Sequence, residues 1–90
     1  MDGQQQRKAL SAAESALRSL AAGETGRARA AADKAASLDQ VDAYAGFVAL
    51  VRLAAGEIEV LGAVTATTRD ALRDALGPGP LAASVEELLG

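Results

Sequence analysis

The stretch Ala43–Ala55, AYAGFVALVRLAA, decides the fold that we expect of this chain. It carries more bulky apolar surface without a break than any other part of the sequence, and a single charged side chain. A surface helix is ordinarily apolar along one stripe. Here Tyr44 and Val48 belong to one stripe, while Phe47 and Leu50 form a second stripe beside it. We therefore predict a central helix that its neighbours cover on nearly every side.

Alanine dominates the apolar content of the chain. Half of the 90 residues are hydrophobic, and 23 of these are alanine. Alanine has the highest helix propensity and lets helices approach closely. A buried alanine contributes less than the roughly 1.5–3 kcal/mol of a buried leucine or valine. The composition thus predicts one tightly spaced all-α domain, residues 1–90, with a thin core of the kind that often gains a second layer by oligomerising.

The charge and the residue types argue against several classes of function. The net charge of −3 and two aromatic residues do not favour a nucleic-acid surface. Histidine and cysteine are both absent, which removes the commonest general base and the thiol nucleophile. We expect no enzyme, no cofactor and no metal site. The longest apolar run, Ala43–Val51, is shorter than the roughly 20 residues of a membrane span, so we expect no membrane partner and a cytoplasmic location.

Glycine and proline divide the chain into helices. Apolar spacing and these breaks predict helices over about 4–22, 26–38, 40–55, 57–76 and 80–89, with a hinge at 77–80. Gly23 is expected to end the first helix and Gly56 the central one. The segment after Gly56 is rich in β-branched residues, and Ile58–Val60 alternates like a strand. Helical spacing farther along nevertheless favours helix there.

Local charge patterns predict caps and ion pairs. Asp39 is expected to cap the central helix. Glu14 and Arg18 stand in the favourable i,i+4 order, and Arg29 with Asp33 forms a second possible pair.

A helical hairpin around Gly23 resembles a tetratricopeptide repeat. The sequence LAAGETGRARAAADKAASLD, residues 20–39, has the small residues and the turn glycine typical of that family. The matching positions are Ala16, Gly23, Ala28, Ala32, Ala35 and Asp39. At the exit of this first copy, Gln40 stands where proline is usual. A second copy lies 33 residues later, where Ala49 and Gly56 match, whereas Leu61, Thr65 and Thr68 occupy the later small or aromatic positions. The resemblance covers residues 9–40 more closely than residues 42–75.

The resemblance implies a short array of antiparallel helical hairpins, with four helices plus a tail helix, that binds protein. In such an array the first helix of each hairpin lines a concave groove. Here that groove would be apolar, and it would accept an apolar peptide, a helix of another protein or a second copy of this chain. The residues predicted to contact a partner in this groove or through the amphipathic tail are Leu10, Leu17, Leu20, Leu50, Leu53, Leu81, Val85, Leu88 and Leu89.

Two other resemblances offer alternatives. Ser37-Leu38-Asp39, followed by Glu57-Ile58, is similar to an acyl carrier protein, which would carry phosphopantetheine on Ser37. Ala36 stands where that family has aspartate. The chain is also similar in size to secreted helical hairpins, with Tyr44-Ala45-Gly46 in place of their central Trp-x-Gly.

The sequence therefore favours a non-catalytic interaction or assembly module that associates with itself through apolar helix faces. The acyl-carrier role at Ser37 is one alternative. The other is a purely structural helical assembly unit.

Overall fold

The computed structural model describes residues 2–38, 45–76 and 80–89, and every regular element in these ranges is an α-helix. The helices are α1 (Asp2–Ala21), α2 (Thr25–Leu38), α3 (Ala45–Leu61), α4 (Ala66–Leu76) and α5 (Pro80–Leu89). The all-α array of helical hairpins with a C-terminal tail helix is confirmed. The predictions made for Asp39, Tyr44 and most of the hinge fall outside the described residues.

Gly23 reverses the chain between α1 and α2. Its φ of 77° lies in the left-handed region that glycine enters freely. The Gly23 amide donates to the Leu20 carbonyl at 3.1 Å, and the Glu24 amide donates to the Ser19 carbonyl at 2.8 Å. These two bonds form a Schellman motif, which satisfies carbonyls that the helix end would leave without a partner. The predicted end of the first helix is confirmed.

Alanine lets α1 and α2 pack together more extensively than any other pair of helices in the described chain. The fully buried alanines of this contact are Ala13, Ala16, Ala28, Ala32 and Ala35. A methyl group at each position allows the two helix axes to approach to the short end of the usual 8–10 Å range.

The central helix α3 continues through Gly56 and ends at Leu61. The predicted helix boundary at Gly56 is therefore wrong, and so is the strand alternative for Ile58–Val60. The chain turns instead at Gly62, which has a φ of 83° and donates its amide to the Ile58 carbonyl at 2.9 Å.

This late turn also changes the spacing between the hairpins. Among the described residues, Gly23 and Gly62 are the turn glycines with positive φ, and they lie 39 residues apart. The second turn thus lies six residues later than a 33-residue repeat would place it.

The tail helix α5 packs on its own chain. It lies against α4 and α1, with Leu81 and Val85 buried. Arg73 of α4 donates to Glu86 of α5 at 2.8 Å across their exposed edge. The helix begins at Pro80, where the tail helix was predicted to begin.

The core draws its large side chains from four helices. The largest fully buried residues are Leu17, Phe47, Val51, Leu72 and Val85. They pack with the alanines of α1 and α2 into a contiguous cluster.

We predict opposite effects of alanine at Gly56, inside α3, and at Gly62, in the turn that follows α3. No neighbouring atom lies within 4 Å of a Cβ built at either position, so backbone conformation decides the outcome. Gly56→Ala should stabilise the dilute protein by about 0.5–1 kcal/mol, because alanine is the better residue inside a helix. Gly62→Ala should destabilise it by about 1 kcal/mol, because alanine resists positive φ. Urea unfolding measures both, and a destabilising Gly56→Ala would contradict the continuous helix.

We also predict that α5 stabilises the chain in cis. Val85→Ala should lower the free energy of unfolding by about 2 kcal/mol, through lost burial and the cavity left behind. Ala83→Ser, on the exposed side of α5, is the control and should change it little. Thermal melts over a hundredfold range of protein concentration give the measurement. A loss that varies with concentration would show instead that α5 exchanges between chains.

Candidate interaction surface

The central helix is apolar on two opposite sides. Phe47, Val51 and Ala54 face the core and are 0% exposed. On the far side, Leu53 is 53% exposed and Val60 is 82% exposed. The prediction that neighbours cover this helix on nearly every side is therefore wrong. Within the described residues, the chain supplies neighbours for one apolar side of α3 only.

The exposed side follows a regular spacing. Its residues recur at intervals of 3, 4, 3 and 4, and together they form what we call the α3 apolar face: Gly46, Ala49, Leu53, Gly56 and Val60. All are exposed except the half-buried Gly56. Leu61, 64% exposed, extends this face at its C-terminal edge. Intervals of 3 and 4 place residues along one seam of a helix, as in coiled coils. The seam is about four turns long.

Glycine makes this face shallow in the middle. A depression over Gly56 is lined by Leu53, Val60 and Leu61, with Arg52 and Glu57 at its rim. Its surface is almost wholly apolar. A narrow, shallow apolar depression of this shape accepts the side chains of another helix better than it accepts a small molecule.

Ion pairs with α2 border one side of the α3 apolar face. Arg29 donates to both Glu59 carboxylate oxygens, at 2.7 and 3.2 Å, and the Thr25 hydroxyl donates to Glu59 at 3.1 Å. These bonds from Arg29 and Thr25 lower the pKa of Glu59. Arg52 pairs with Asp33 at 3.0 Å. The predicted Arg29–Asp33 pair is thus wrong, because each side chain reaches across to α3 instead.

A buried threonine and a carboxylate fix the other side of α3 to α4. The Glu57 carboxylate accepts the Thr65 amide at 3.0 Å and the Thr68 hydroxyl at 2.8 Å. Thr65 is the N-cap of α4, since its hydroxyl accepts the Thr68 amide at 3.3 Å. Thr68 is only 3% exposed. The Thr65 amide, followed by the two hydroxyls, lowers the pKa of Glu57.

Together these contacts hold α3 at a fixed rotation. Glu59 and Arg52 tie it to α2, while Glu57 ties it to α4. The helix therefore cannot turn about its axis to hide Leu53 and Val60 without breaking polar contacts on both sides.

The structure divides the residues that were predicted to bind a partner into three groups. Leu17, Leu20, Leu81 and Val85 are 0–4% exposed and belong to the core, which corrects their assignment to a partner surface. Leu50, Leu88 and Leu89 are half-buried against the core cluster. Leu10 and Leu53 are exposed, on α1 and α3 respectively. Leu53 alone of the nine lies on the α3 apolar face.

Sequence reasoning missed Val60 and Leu61 because it ended the helix at Gly56. The signal was present, since the 3-4-3-4 spacing from Gly46 onward continues across Gly56 to Val60. The opposite side of α3 carries large buried side chains, Phe47 and Val51, so a core alone could account for the apolar content of the helix.

Ser37 lies in the last turn of α2 rather than at the start of a helix, where the acyl-carrier resemblance would place it. Its hydroxyl is exposed and donates to the Lys34 carbonyl at 2.8 Å. The hydroxyl therefore bonds back into its own helix.

Within the described ranges, acidic side chains form no group of three that could hold a metal ion. None of the helices in the same ranges is long and apolar enough to cross a bilayer.

Comparison with known proteins gives no relative. The chain matches no known protein family. No curated protein and no solved structure matches it significantly.

We predict that the Glu57 contacts make stability depend on pH. Folding lowers the pKa of Glu57 below its ordinary value of 4.5. The stabilisation is therefore present above pH 4.5 and is lost as pH falls through the lowered pKa. Glu57→Gln should reduce the loss on acidification, and at pH 7 it should destabilise the chain by about 1 kcal/mol, since the amide is a weaker acceptor. Urea unfolding from pH 7 to pH 3 measures this.

The matched control is Glu87→Gln, which makes the same change on the exposed side of α5. It should leave the acid-induced loss close to that of the unmodified chain. Equal pH profiles for the two variants would contradict a role for Glu57 in fixing α4.

Proposed function

We propose that this chain is a non-catalytic interaction module that associates with itself through the α3 apolar face. One observation carries the proposal: a continuous apolar seam of about four helical turns faces water on a helix whose opposite side forms the core. Single exposed leucines are common on protein surfaces. Contiguous exposed apolar patches instead mark sites of interaction.

The energetics favour covering this face. Removing a leucine or valine side chain from water contributes roughly 1.5–3 kcal/mol. Covering each of Leu53, Val60 and Leu61 would contribute part of this free energy. Net stabilities of small domains are about 5–15 kcal/mol, so association would add substantially to the stability of a chain with an alanine core.

The rigid attachment of α3 also supports the proposal. Because the ion pairs to α2 and the Glu57 contacts to α4 already fix α3, the face is preformed. Association then orders little additional chain, which keeps its entropic cost low.

The proposal replaces the groove that the tetratricopeptide resemblance implied, since its central leucines lie in the core. It agrees with the alternative of a structural assembly unit, which would differ only in having no further partner. No described contact favours modification at Ser37. The mild charge of −3 gives no reason to place the chain on nucleic acid, and we expect it to act in the cytoplasm.

We predict that Leu53→Lys weakens self-association. A lysine ammonium cannot enter the seam without losing its hydration. The dissociation constant should rise at least about tenfold, which corresponds to 1.4 kcal/mol. Sedimentation equilibrium measures it against the 9.0 kDa chain mass.

Leu10→Lys is the matched control, because it makes the same substitution at an exposed leucine of α1. It should leave association unchanged, and circular dichroism should show both variants folded. An unmodified chain that stays monomeric at millimolar concentration would refute the proposal. Equal effects of the two substitutions would refute the role of the α3 apolar face.

A further inference from the structure

The α3 apolar face is complementary to itself in one orientation. We propose that two copies of this chain form a two-fold symmetric dimer in which their α3 helices pack antiparallel, with the axis between Leu53 and Gly56. This inference rests on the proposed self-association and specifies its geometry. The occupant of the face is a second copy of this chain.

Side-chain size selects the antiparallel register. If residue i of one copy faces residue 109 − i of the other, Leu53 meets Gly56 and Val60 meets Ala49. Each large side chain then lies over a small one, at all four of these positions. Alternation of large and small residues across facing positions is how helices pack without voids.

A parallel pair would pack poorly. Identical residues would face each other, so Leu53 would meet Leu53 and Gly56 would meet Gly56. The leucines would hold the helices apart, and a gap would remain at the glycines and at Ala49. Unfilled gaps lose dispersion contacts on both sides.

Charges at the rim agree with the antiparallel arrangement. Arg52 and Glu59 both lie on the side of α3 that faces α2. In an antiparallel pair, that side of one copy meets the same side of the other. The 1.5 Å rise per residue then separates Arg52 from the partner's Glu59 by about 3 Å along the axis, and the two Arg52 side chains by about 7.5 Å. The attraction between Arg52 and Glu59 of the other copy therefore exceeds the repulsion between the two Arg52 side chains. Symmetry gives two such attractive pairs in each dimer.

Symmetry limits the assembly to two copies. The same face of each chain is used, so the contact is isologous and closes on itself. The interface is one helix wide, so its area lies towards the lower end of stable interfaces, about 1,200 Å². We therefore expect a reversible dimer with a dissociation constant in the micromolar range.

Cysteine cross-linking tests the register, and the absence of native cysteine gives a clean background. One chain carries Ala49→Cys and a second, of distinguishable mass, carries Val60→Cys. Both positions are exposed, so neither change disturbs the core. The two are mixed and oxidised mildly, and the linked species are weighed by mass spectrometry.

The proposal expects the 49–60 disulfide between chains and little or none between two Val60→Cys chains. In the antiparallel register, the latter cysteines are about 16 Å apart along the axis. A disulfide needs Cα atoms within roughly 7 Å. A mixture of Leu10→Cys with Val60→Cys is the control for random collision, and it should give at least tenfold less product.

Other outcomes separate the two proposals. Efficient 60–60 and 49–49 links would show a parallel pair, which overturns the register while self-association stands. A dimer mass without any cross-link above the Leu10→Cys control would place the contact elsewhere and overturn this inference. A chain that is monomeric by sedimentation would refute both this inference and the proposed function.

Discussion

The structure depends on one constraint: α3 is apolar on opposite sides, and the chain has enough helices to cover one of them. Phe47, Val51 and Ala54 define the covered side, and the core forms around it. The rotation of α3 about its axis that turns these residues toward the core places Leu53 and Val60 on the opposite side. Leu53 is 53% exposed and Val60 is 82% exposed, so the uncovered side either faces water or meets another molecule.

The alanine core explains why that uncovered side matters energetically. The contact between α1 and α2 is close but consists largely of methyl groups, each of which contributes little burial. Much of the bulky apolar surface of the chain lies instead on α3. Covering Leu53, Val60 and Leu61 would therefore change total stability more than in a domain with a leucine-rich core, and any partner that binds the folded chain stabilises it by mass action.

A repeated pentapeptide shows which part of the fold the sequence could predict and which part it could not. Leu-Ala-Ala-Gly-Glu occurs at 20–24 and at 53–57, and helical spacing correctly predicted α1, α2 and their turn from the first copy. In the second copy the helix continues through Gly56. Local propensity cannot separate the two, because the deciding contacts are distant: Glu57 reaches Thr65 and Thr68, while Glu59 reaches Arg29. Such pairings appear only after the chain has folded.

The two copies of the pentapeptide also account for the candidate surface. After the first copy the chain reverses at once, and Leu20, which is 2% exposed, belongs to the core cluster. After the second copy α3 runs on for four residues beyond Glu57, and the reversal at Gly62 brings α4 against the core side. Leu53, the counterpart of Leu20, thus keeps its solvent-facing position, and Val60 is added to the same seam. The late turn therefore extends the α3 apolar face by one helical turn, from Gly56 to Val60.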